Sequence, residues 1–229
     1  MLDHPTPTIL EQPIIDWRDF APCTTVPLFA CAPEVLGTSF NYGRDEEIYG
    51  EGEDTEFIYK VVSGAVRTYK IMRDGRRQIG GFHLPGDFFG LETDNRHHLT
   101  AESITQSKVL LFTRRQVESL VHRNIDAARE LWLMTAQHLR HAENHMLLLG
   151  RKTALERLAA FLIEMDARHG NTGLIELPML RRDIADYLGL TLETVSRSFS
   201  ELQSQRAVEL DGARHVALRK RAMLEEMGA

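Results

Sequence analysis

Residues 181–202, with the sequence RRDIADYLGLTLETVSRSFSEL, restrict the fold more than any other stretch of this chain. The first part carries Ile184 and Leu188 four residues apart, which predicts a short amphipathic helix that ends at Gly189. The second part repeats apolar residues every three or four positions, which predicts another helix. These residues are Val195, Phe199 and Leu202. Two short helices are therefore joined by a turn of only a few residues.

The predicted turn meets the steric requirements of a helix-turn-helix. The small residue Ala185 lets the two helices cross closely, Gly189 tolerates a positive φ in the turn, and Val195 fills the space between the helices. Thr191 follows the turn and is well placed to cap the second helix. The stretch is therefore interpreted as a helix-turn-helix motif.

The outward face at the start of the second helix carries Leu192, Glu193, Ser196 and Arg197. In the docking mode of this motif, such N-terminal positions enter the major groove of DNA. Arg197 can donate two hydrogen bonds to guanine, Glu193 can accept one from cytosine, and Ser196 can lie against a thymine edge. The alternative is a salt bridge between Glu193 and Arg197 on a solvated helix. The two interpretations are compatible if Glu193 and Arg197 orient one another while both contact bases.

The flanking segments predict a compact C-terminal domain over residues 151–229. A helix from about residue 153 to residue 168 has one apolar face, and Gly170 is its expected left-handed cap. Downstream, the segment AVELDGARHVALR predicts two strands joined at Asp211-Gly212, which is a hairpin signal. A hairpin after the second helix makes the predicted domain a winged helix-turn-helix.

A regular apolar stripe follows the middle of the chain, in steps of three and four residues over more than three heptads. It consists of Ile125, Ala128, Trp132, Thr135, Leu139, Ala142, Met146 and Leu149. Small residues alternate with large ones, which suits the close approach of two identical helices. The stripe could instead pack on the chain's own N-terminal domain. We predict a dimerisation helix over residues 115–150 and a homodimer.

The N-terminal half has a different pattern. Short β-prone runs are separated by Gly or Asp-Gly, which predicts an antiparallel sandwich because each strand can bury only one face. The runs are FIYKVVSG, AVRTYKI, RQIGGFHL, DFFGL and KVLLFT. We expect a β jelly roll over residues 36–114, after a Pro-rich leader at residues 1–35. The expected fold class is α+β.

The distribution of charge permits a nucleic-acid partner. Residues 151–229 carry 12 Lys and Arg against 12 Asp and Glu, so the net charge of −6 belongs to residues 1–150. Local basic clusters attract phosphate independently of the total charge. The expected contacts to the DNA backbone are Arg151, Arg181, Arg182 and Thr191. The cluster at residues 219–221 could line the same face.

Two observations exclude other classes of protein. Cys23 and Cys31 are the chain's only cysteines, too few for a disulfide framework and without the spacing of a zinc finger. No apolar run is long enough for a membrane span, and no secretory signal opens the sequence. The expected location is the cytoplasm, with no membrane partner.

The chain resembles the Crp/Fnr family of bacterial transcription regulators from about residue 40 to the end. The segments GFHLPGDFFG, LLLGRKTALERLAAFL and RRDIADYLGLTLETVSR are similar to the barrel, hinge and DNA-reading segments of the Fnr and FixK branch. The Glu-x-x-Ser-Arg signature of that branch corresponds to Glu193, Ser196 and Arg197. The resemblance implies a homodimeric activator that reads a palindrome of a TTGA-type and a TCAA-type half-site. It also implies control of genes for low-oxygen respiration, denitrification or nitrogen fixation. RNA polymerase is a further expected partner, with the loop around Gly80-Gly81 and the segment 93–98 as its candidate surfaces.

No sensing cofactor is predicted. Fnr-type sensors hold an iron–sulfur cluster with four cysteines, and this chain has two. Nucleotide-binding members use a Gly-Glu pair and an Arg-Ser pair on the phosphate. Here Gly90 is followed by Leu91, and His97-His98 occupies the Arg-Ser place with Arg96 beside it. A ligand-sensing or haem-sensing regulator, with His83 or one of the paired histidines as axial ligand, stays an alternative.

An alternative from another class is a cupin-like enzyme with a metal held by His83, Glu92, His97 and His98. Imidazoles and a carboxylate suit a transition metal. This set lacks the His-x-His pair that such barrels usually present on one strand. A metal enzyme also does not account for the winged helix-turn-helix domain. We therefore expect a transcription regulator with neither a metal nor a cofactor.

Overall fold

The computed structural model describes residues 37–228, in which an antiparallel β-sandwich precedes a helical region with a second, small sheet. The predicted leader at residues 1–35, with Cys23 and Cys31, lies outside the described residues. The sandwich strands are β1 (Thr38–Tyr42), β2 (Glu47–Tyr49), β3 (Phe57–Ser63), β4 (Val66–Ile71), β5 (Arg77–His83), β6 (Phe88–Phe89), β7 (Thr100–Ser103) and β8 (Ser107–Thr113).

The eight strands form two four-stranded sheets, in the orders β1-β8-β3-β6 and β2-β7-β4-β5. Buried aromatic side chains of Tyr49, Tyr59 and Phe89 pack between them, with ring centroids 5.0 Å apart for Tyr49 and Tyr59. The predicted jelly roll is confirmed. The sequence runs did not include β1, β2 and β7. The strands β2 and β7 have only three and four residues, with charged or hydroxyl side chains that give no clear alternation.

Two helices occupy the segment that was predicted as one helix. They are α1 (Arg114–Arg123) and α2 (Ile125–Arg151). Asn124 separates them with an extended backbone, φ −133° and ψ 109°, and its side chain accepts hydrogen bonds from the backbone of Asp126 and Ala127. The long helix therefore starts where the apolar stripe starts, and the preceding ten residues are a separate helix.

The C-terminal domain contains the predicted winged helix-turn-helix. Its elements are α3 (Ala154–Arg168), β9 (Leu174–Glu176), α4 (Arg181–Leu188), α5 (Leu192–Ser204), β10 (Val208–Asp211), β11 (His215–Leu218) and α6 (Arg221–Gly228). Thr153 caps α3 through a reciprocal capping box with Glu156, and Gly170 follows the helix with a φ of 82°.

The wing differs from the predicted hairpin in two ways. Asp211 is paired with His215, so the turn consists of the three residues 212–214, and only Gly212 of the predicted pair lies in it. The strand β9 joins β11 as a third strand. The segment that contains β9 has only three paired residues, which is too short for a period of two to be visible in the sequence.

The hydrophobic core is continuous between the barrel and the C-terminal domain. One cluster joins Ile79 and Phe82 of β5 to Leu158 and Phe161 of α3 and to Tyr187 of α4. The Phe82 and Tyr187 ring centroids are 5.2 Å apart. The helices α3 and α4 therefore pack directly on β5 of the barrel. No helix within residues 37–228 combines the length and the apolar character that a membrane crossing requires.

Candidate DNA-binding site

The turn between α4 and α5 has the geometry that the sequence predicted. Gly189 adopts φ 63° and ψ 36°, a left-handed conformation that glycine reaches without strain. The backbone N–H of Leu190 donates to the carbonyl of Ala185 at 2.9 Å. Ala185 and Val195 are buried between the helices. The side chain of Thr191 accepts a hydrogen bond from the Thr194 N–H at 3.1 Å and so caps α5.

The four proposed base-reading residues lie at the first turns of α5, and three of them are exposed. The side chains of Glu193 and Arg197 are 72% and 79% exposed, Leu192 is exposed, and Ser196 is half-buried. Arg197 donates from Nη2 to Glu193 Oε1, so the predicted i,i+4 pair is present. The guanidinium carries five N–H donors and this bond uses one. The ion pair is therefore compatible with a bidentate contact to a guanine.

The residues expected on the DNA backbone differ in their surroundings. Arg181 is half-buried with its guanidinium 4.7 Å from the centre of the Phe199 ring, whereas Arg182 is exposed at the start of α4. Arg151 is exposed at the C-terminal end of α2. Thr191 is exposed, and its hydroxyl also bonds to that of Thr194 at 2.8 Å. Arg182 and Arg151 thus keep the freest cationic groups of the set.

The basic cluster at residues 219–221 is engaged within the chain. Arg219 donates to Glu209 at 2.6 Å, and Lys220 donates to the carbonyl of Gln205 at 2.8 Å. Arg221 bonds to the buried carboxylate of Asp166. These contacts fasten the end of the chain to the rest of the domain, so the structure favours an internal role for this cluster.

The apolar stripe of α2 lies on the surface of the chain. Ile125 is 82% exposed, Trp132 69%, Leu139 60% and Met146 66%, while Thr135 and Ala142 are exposed and Ala128 and Leu149 are half-buried. A different face of the helix, with Ala127, Leu131 and Met134, packs against the barrel and α1. Within residues 37–228, the stripe is therefore not covered by the β-sandwich.

The barrel histidines occupy three different environments. His83 Nε2 lies 3.2 Å from the hydroxyl of Thr68, and burial holds the pKa of His83 well below its usual value. The His97 ring is buried and stacked on Tyr49 with centroids 3.6 Å apart, and burial lowers its pKa as well. His98 is exposed and pairs with Asp94 at 2.6 Å. The structure does not bring the three rings together.

The segment that aligns with the nucleotide-phosphate site has His97 where nucleotide-binding members have an arginine. Gly90 has a φ of 73°, and its carbonyl accepts a hydrogen bond from Arg114 at 2.8 Å. His97, at the place of the Arg-Ser pair, lies 3.4 Å from a carboxylate oxygen of Glu92, and Arg96 is exposed. A carboxylate and a buried imidazole present no charge-assisted donors to a phosphate.

A cavity of about 1540 Å³ lies between the barrel and the C-terminal half of α2. Its lining includes His83, His138, His145 and Arg168. Burial lowers the pKa values of His83 and His145. Within residues 37–228 no group of three or more His, Cys, Asp or Glu has the arrangement of a metal site.

Comparisons with known proteins identify both domains. Residues 39–124 match the cyclic nucleotide-binding domain, and residues 156–227 match the Crp-like helix-turn-helix domain. The nitrogen fixation regulation protein FixK of Azorhizobium caulinodans is 42% identical over 197 residues, which cover 84% of this chain and 79% of that protein. FixK of Rhizobium meliloti is 40% identical over 85% of this chain and 88% of its own length.

A solved structure agrees with these relatives. The structure of FixK2 from Bradyrhizobium japonicum superposes with a TM-score of 0.82 and 56% sequence identity, over 85% of this chain and 98% of that one.

The fold, the site and these matches define a DNA-binding transcription regulator that joins a cyclic-nucleotide-type barrel to a winged helix-turn-helix. The chain belongs to the Crp/Fnr family and is FixK-like. Since this family consists of transcription regulators, the alternative of a cupin-like metal enzyme is wrong.

Proposed function

We propose that this regulator binds DNA as a homodimer, on a palindrome with a TTGA-type and a TCAA-type half-site, and activates transcription. The observation that carries the proposal is the exposed face of Leu192, Glu193, Ser196 and Arg197 at the N-terminal end of α5. In helix-turn-helix docking these positions meet the base edges, where Arg, Glu and Ser read guanine, cytosine and thymine. Leu192, Glu193 and Arg197 are exposed, so their side chains can contact DNA.

The homodimer is supported by the exposed stripe of α2. Large apolar side chains left in water along one line of a 27-residue helix are stabilised when a second copy covers them. A two-fold dimer must place its two α5 helices about 34 Å apart, one turn of DNA. The C-terminal end of α2 leads directly into the DNA-binding domain, so a pair of α2 helices can set that distance.

Further contacts complete the proposed complex. Arg151, Arg181, Arg182 and Thr191 would bind phosphates, with Arg182 and Arg151 the strongest candidates because their guanidinium groups are exposed. RNA polymerase would meet exposed residues of the segment 93–98. Gly80-Gly81 was the other expected surface, but both residues lie within β5 and Gly81 is buried. The cytoplasm, where the bacterial chromosome lies, is the proposed location.

The regulated genes are inferred from relatives. Two relatives are named nitrogen fixation regulation protein FixK, and the transcriptional activator FnrL of Cereibacter sphaeroides is 34% identical over 98% of this chain. We therefore assign the chain to the control of low-oxygen respiration, denitrification or nitrogen fixation. Mapping of bound sites across the genome, in cells shifted between air and low oxygen, would test this assignment.

The DNA sequence can be tested with purified protein by fluorescence anisotropy at one fixed salt concentration. The probes are a TTGA/TCAA palindrome with half-site centres about 10 base pairs apart, the same duplex with both half-sites scrambled, and a duplex with one intact half-site. We expect binding to the palindrome to exceed binding to the scrambled duplex by about 10³-fold or more. Equal binding to the first two duplexes would refute the proposal.

A ligand-sensing regulator of the same family is a second candidate because of the cavity between the barrel and α2. Its volume admits a small molecule, and burial lowers the pKa values of His83 and His145, which favours the neutral imidazole that accepts a hydrogen bond or ligates haem iron. Native mass spectrometry of the purified dimer, with absorption spectra between 350 and 600 nm, would detect a retained ligand or haem. A palindrome affinity that rises on addition of such a ligand would favour this candidate.

A further inference from the structure

The first helix of the DNA-reading motif is joined to the barrel by a cluster of ion pairs. Asp183 of α4 accepts from Arg77 Nη2 at 2.6 Å and from Arg67 Nη1 at 3.1 Å, both at its Oδ1 atom. Arg77 also donates from Nε to Asp186, one helical turn further along, at 2.8 Å. Two arginines of neighbouring barrel strands thus hold two carboxylates of one face of α4. We call these four residues the α4 clamp.

The centre of the α4 clamp is shielded from water. The side chains of Arg67 and Asp183 are 8% and 3% exposed. Arg67 is also fixed within the barrel, because its Nη2 atom donates to Asp45 at 3.1 Å and to Glu102. The second oxygen of Asp183 accepts from the backbone N–H of Leu180 at 3.1 Å, at the start of α4. A buried carboxylate with donors on both oxygens has a single well-defined orientation.

Other contacts also join the barrel to the C-terminal domain. Gln78 of β5 donates to the carbonyl of Tyr187 at 3.2 Å, and the Tyr187 ring packs on Phe82. Arg168 of α3 donates to the carbonyl of Phe82 at 2.9 Å and pairs with Asp87. The domain interface therefore combines buried apolar contacts with directional polar contacts. Hydrogen bonds of this kind fix an orientation that apolar contact alone leaves adjustable.

We propose that Arg67 and Arg77 are positioning residues for DNA recognition: through the α4 clamp they hold α4, and with it the reading helix α5, in one orientation relative to the barrel. The proposal rests on the proposed function, since it concerns how the dimer matches its palindrome. The helices α4 and α5 behave as one unit, because the turn at Gly189 is tight and Val195 is buried between them. Because α2 also packs on the barrel, fixing α4 on the barrel fixes α5 relative to α2. In the proposed dimer, it also fixes α5 relative to the second copy.

The test uses the spacing of the half-sites as its readout. A dimer with rigidly held reading helices tolerates one spacing, because each added base pair moves a half-site by 3.4 Å and rotates it by about 35°. The full-length dimer and the variants Arg77→Ala and Asp183→Asn are compared on palindromes lengthened or shortened by one and two base pairs, and on a single half-site. Arg76→Ala is the matched control, since the neighbouring Arg76 is 83% exposed and pairs with Asp74 of its own hairpin.

We expect the Arg77→Ala and Asp183→Asn variants to lose about tenfold or more in affinity for the best palindrome. Their affinity for the altered spacings should fall much less, and single half-site binding should stay unchanged. The Arg76→Ala control should match the parent protein. The pair Arg77→Glu with Asp186→Arg, which reverses the more accessible ion pair of the clamp, should recover part of the spacing preference that Arg77→Glu alone loses.

Two results would overturn the positioning role. One is a spacing profile of the clamp variants that equals that of the parent protein. The other is an equal loss on the palindrome and on the single half-site together with a lower melting temperature, which would show that the clamp only stabilises the fold. If the parent protein itself shows no preference for the palindrome, the proposed function fails instead, so the two failures are distinguishable.

Discussion

Arginine–carboxylate pairs occur in two regions of this molecule with opposite exposure. In the pair Arg197 and Glu193 at the start of α5, the side chains are 79% and 72% exposed. In the pair Arg67 and Asp183 between the barrel and α4, they are 8% and 3% exposed. The two ion pairs therefore differ in strength, because water screens the first pair and is excluded from the second.

The magnitudes show what this difference means. An exposed i,i+4 pair contributes about 0.3–0.5 kcal/mol, so Arg197 can exchange its carboxylate partner for a base at little cost. Removal of one partner from a buried pair costs about 3–5 kcal/mol, because the remaining charge is left without compensation. Exposed groups of this protein should therefore affect its binding to partners, and buried groups should affect folding and domain orientation. The apolar stripe of α2 belongs with the exposed groups.

The largest effect is expected from Leu139→Asp in the stripe of α2. A carboxylate on each copy would be buried in the proposed interface close to its symmetry mate, so the dimer should dissociate and palindrome binding should collapse to the level of a single half-site. Asn144→Asp is the control, because Asn144 is exposed on another face of the same helix. Analytical ultracentrifugation should show monomers for the first variant and dimers for the second. A persistent dimer of Leu139→Asp would place the interface elsewhere.

Asp183→Ala should have the largest effect on folding. We expect the free energy of unfolding of the domain to fall by about 1–3 kcal/mol, because Arg67 and Arg77 lose a shared buried partner but keep Glu102 and Asp186. Asp74→Ala removes a carboxylate from an exposed pair and should change this free energy by less than about 0.5 kcal/mol. Urea denaturation followed by circular dichroism measures both. Equal stability of the two variants would contradict the contrast between buried and exposed pairs.

Arg197→Ala should separate binding from stability. Loss of a bidentate guanine contact should lower affinity for the TTGA/TCAA palindrome by about 1–3 kcal/mol per half-site and spare non-specific binding. The free energy of unfolding should change by less than about 0.5 kcal/mol, because the side chain is exposed. Arg197→Lys retains the charge without the bidentate geometry, so it should lose nearly as much specificity. Unchanged palindrome affinity in Arg197→Ala would remove this residue from the reading face.

The smallest effect is expected from the double substitution Cys23→Ser with Cys31→Ser. These are the chain's only cysteines, and none lies in residues 151–229, so the C-terminal domain itself carries no thiol that can be oxidised. Palindrome binding in air and under low oxygen should therefore equal that of the parent protein. An oxygen response that disappears in this variant, or cluster absorption in anaerobically purified protein, would instead identify a thiol-based sensor.

The local elements were predictable because their signals are local. Ile184, Leu188 and Gly189 fix a helix and its end through side-chain periodicity and one left-handed residue, and the structure ends α4 at that point. The apolar stripe predicted the long helix for the same reason. The break at Asn124 was missed, because an internal cap by a single side chain leaves the surrounding helical periodicity intact.

The sequence by itself determined the β-sandwich, the helix-turn-helix, the polar face at the start of α5 and the stripe of α2, because each depends on residues within a few positions of one another. Only the tertiary structure decided that the stripe lies exposed and that Arg67 and Arg77 meet Asp183. Those partners are separated by 116 and 106 residues along the chain. No periodicity or spacing links residues so far apart, and their contact depends on how two finished domains pack against each other.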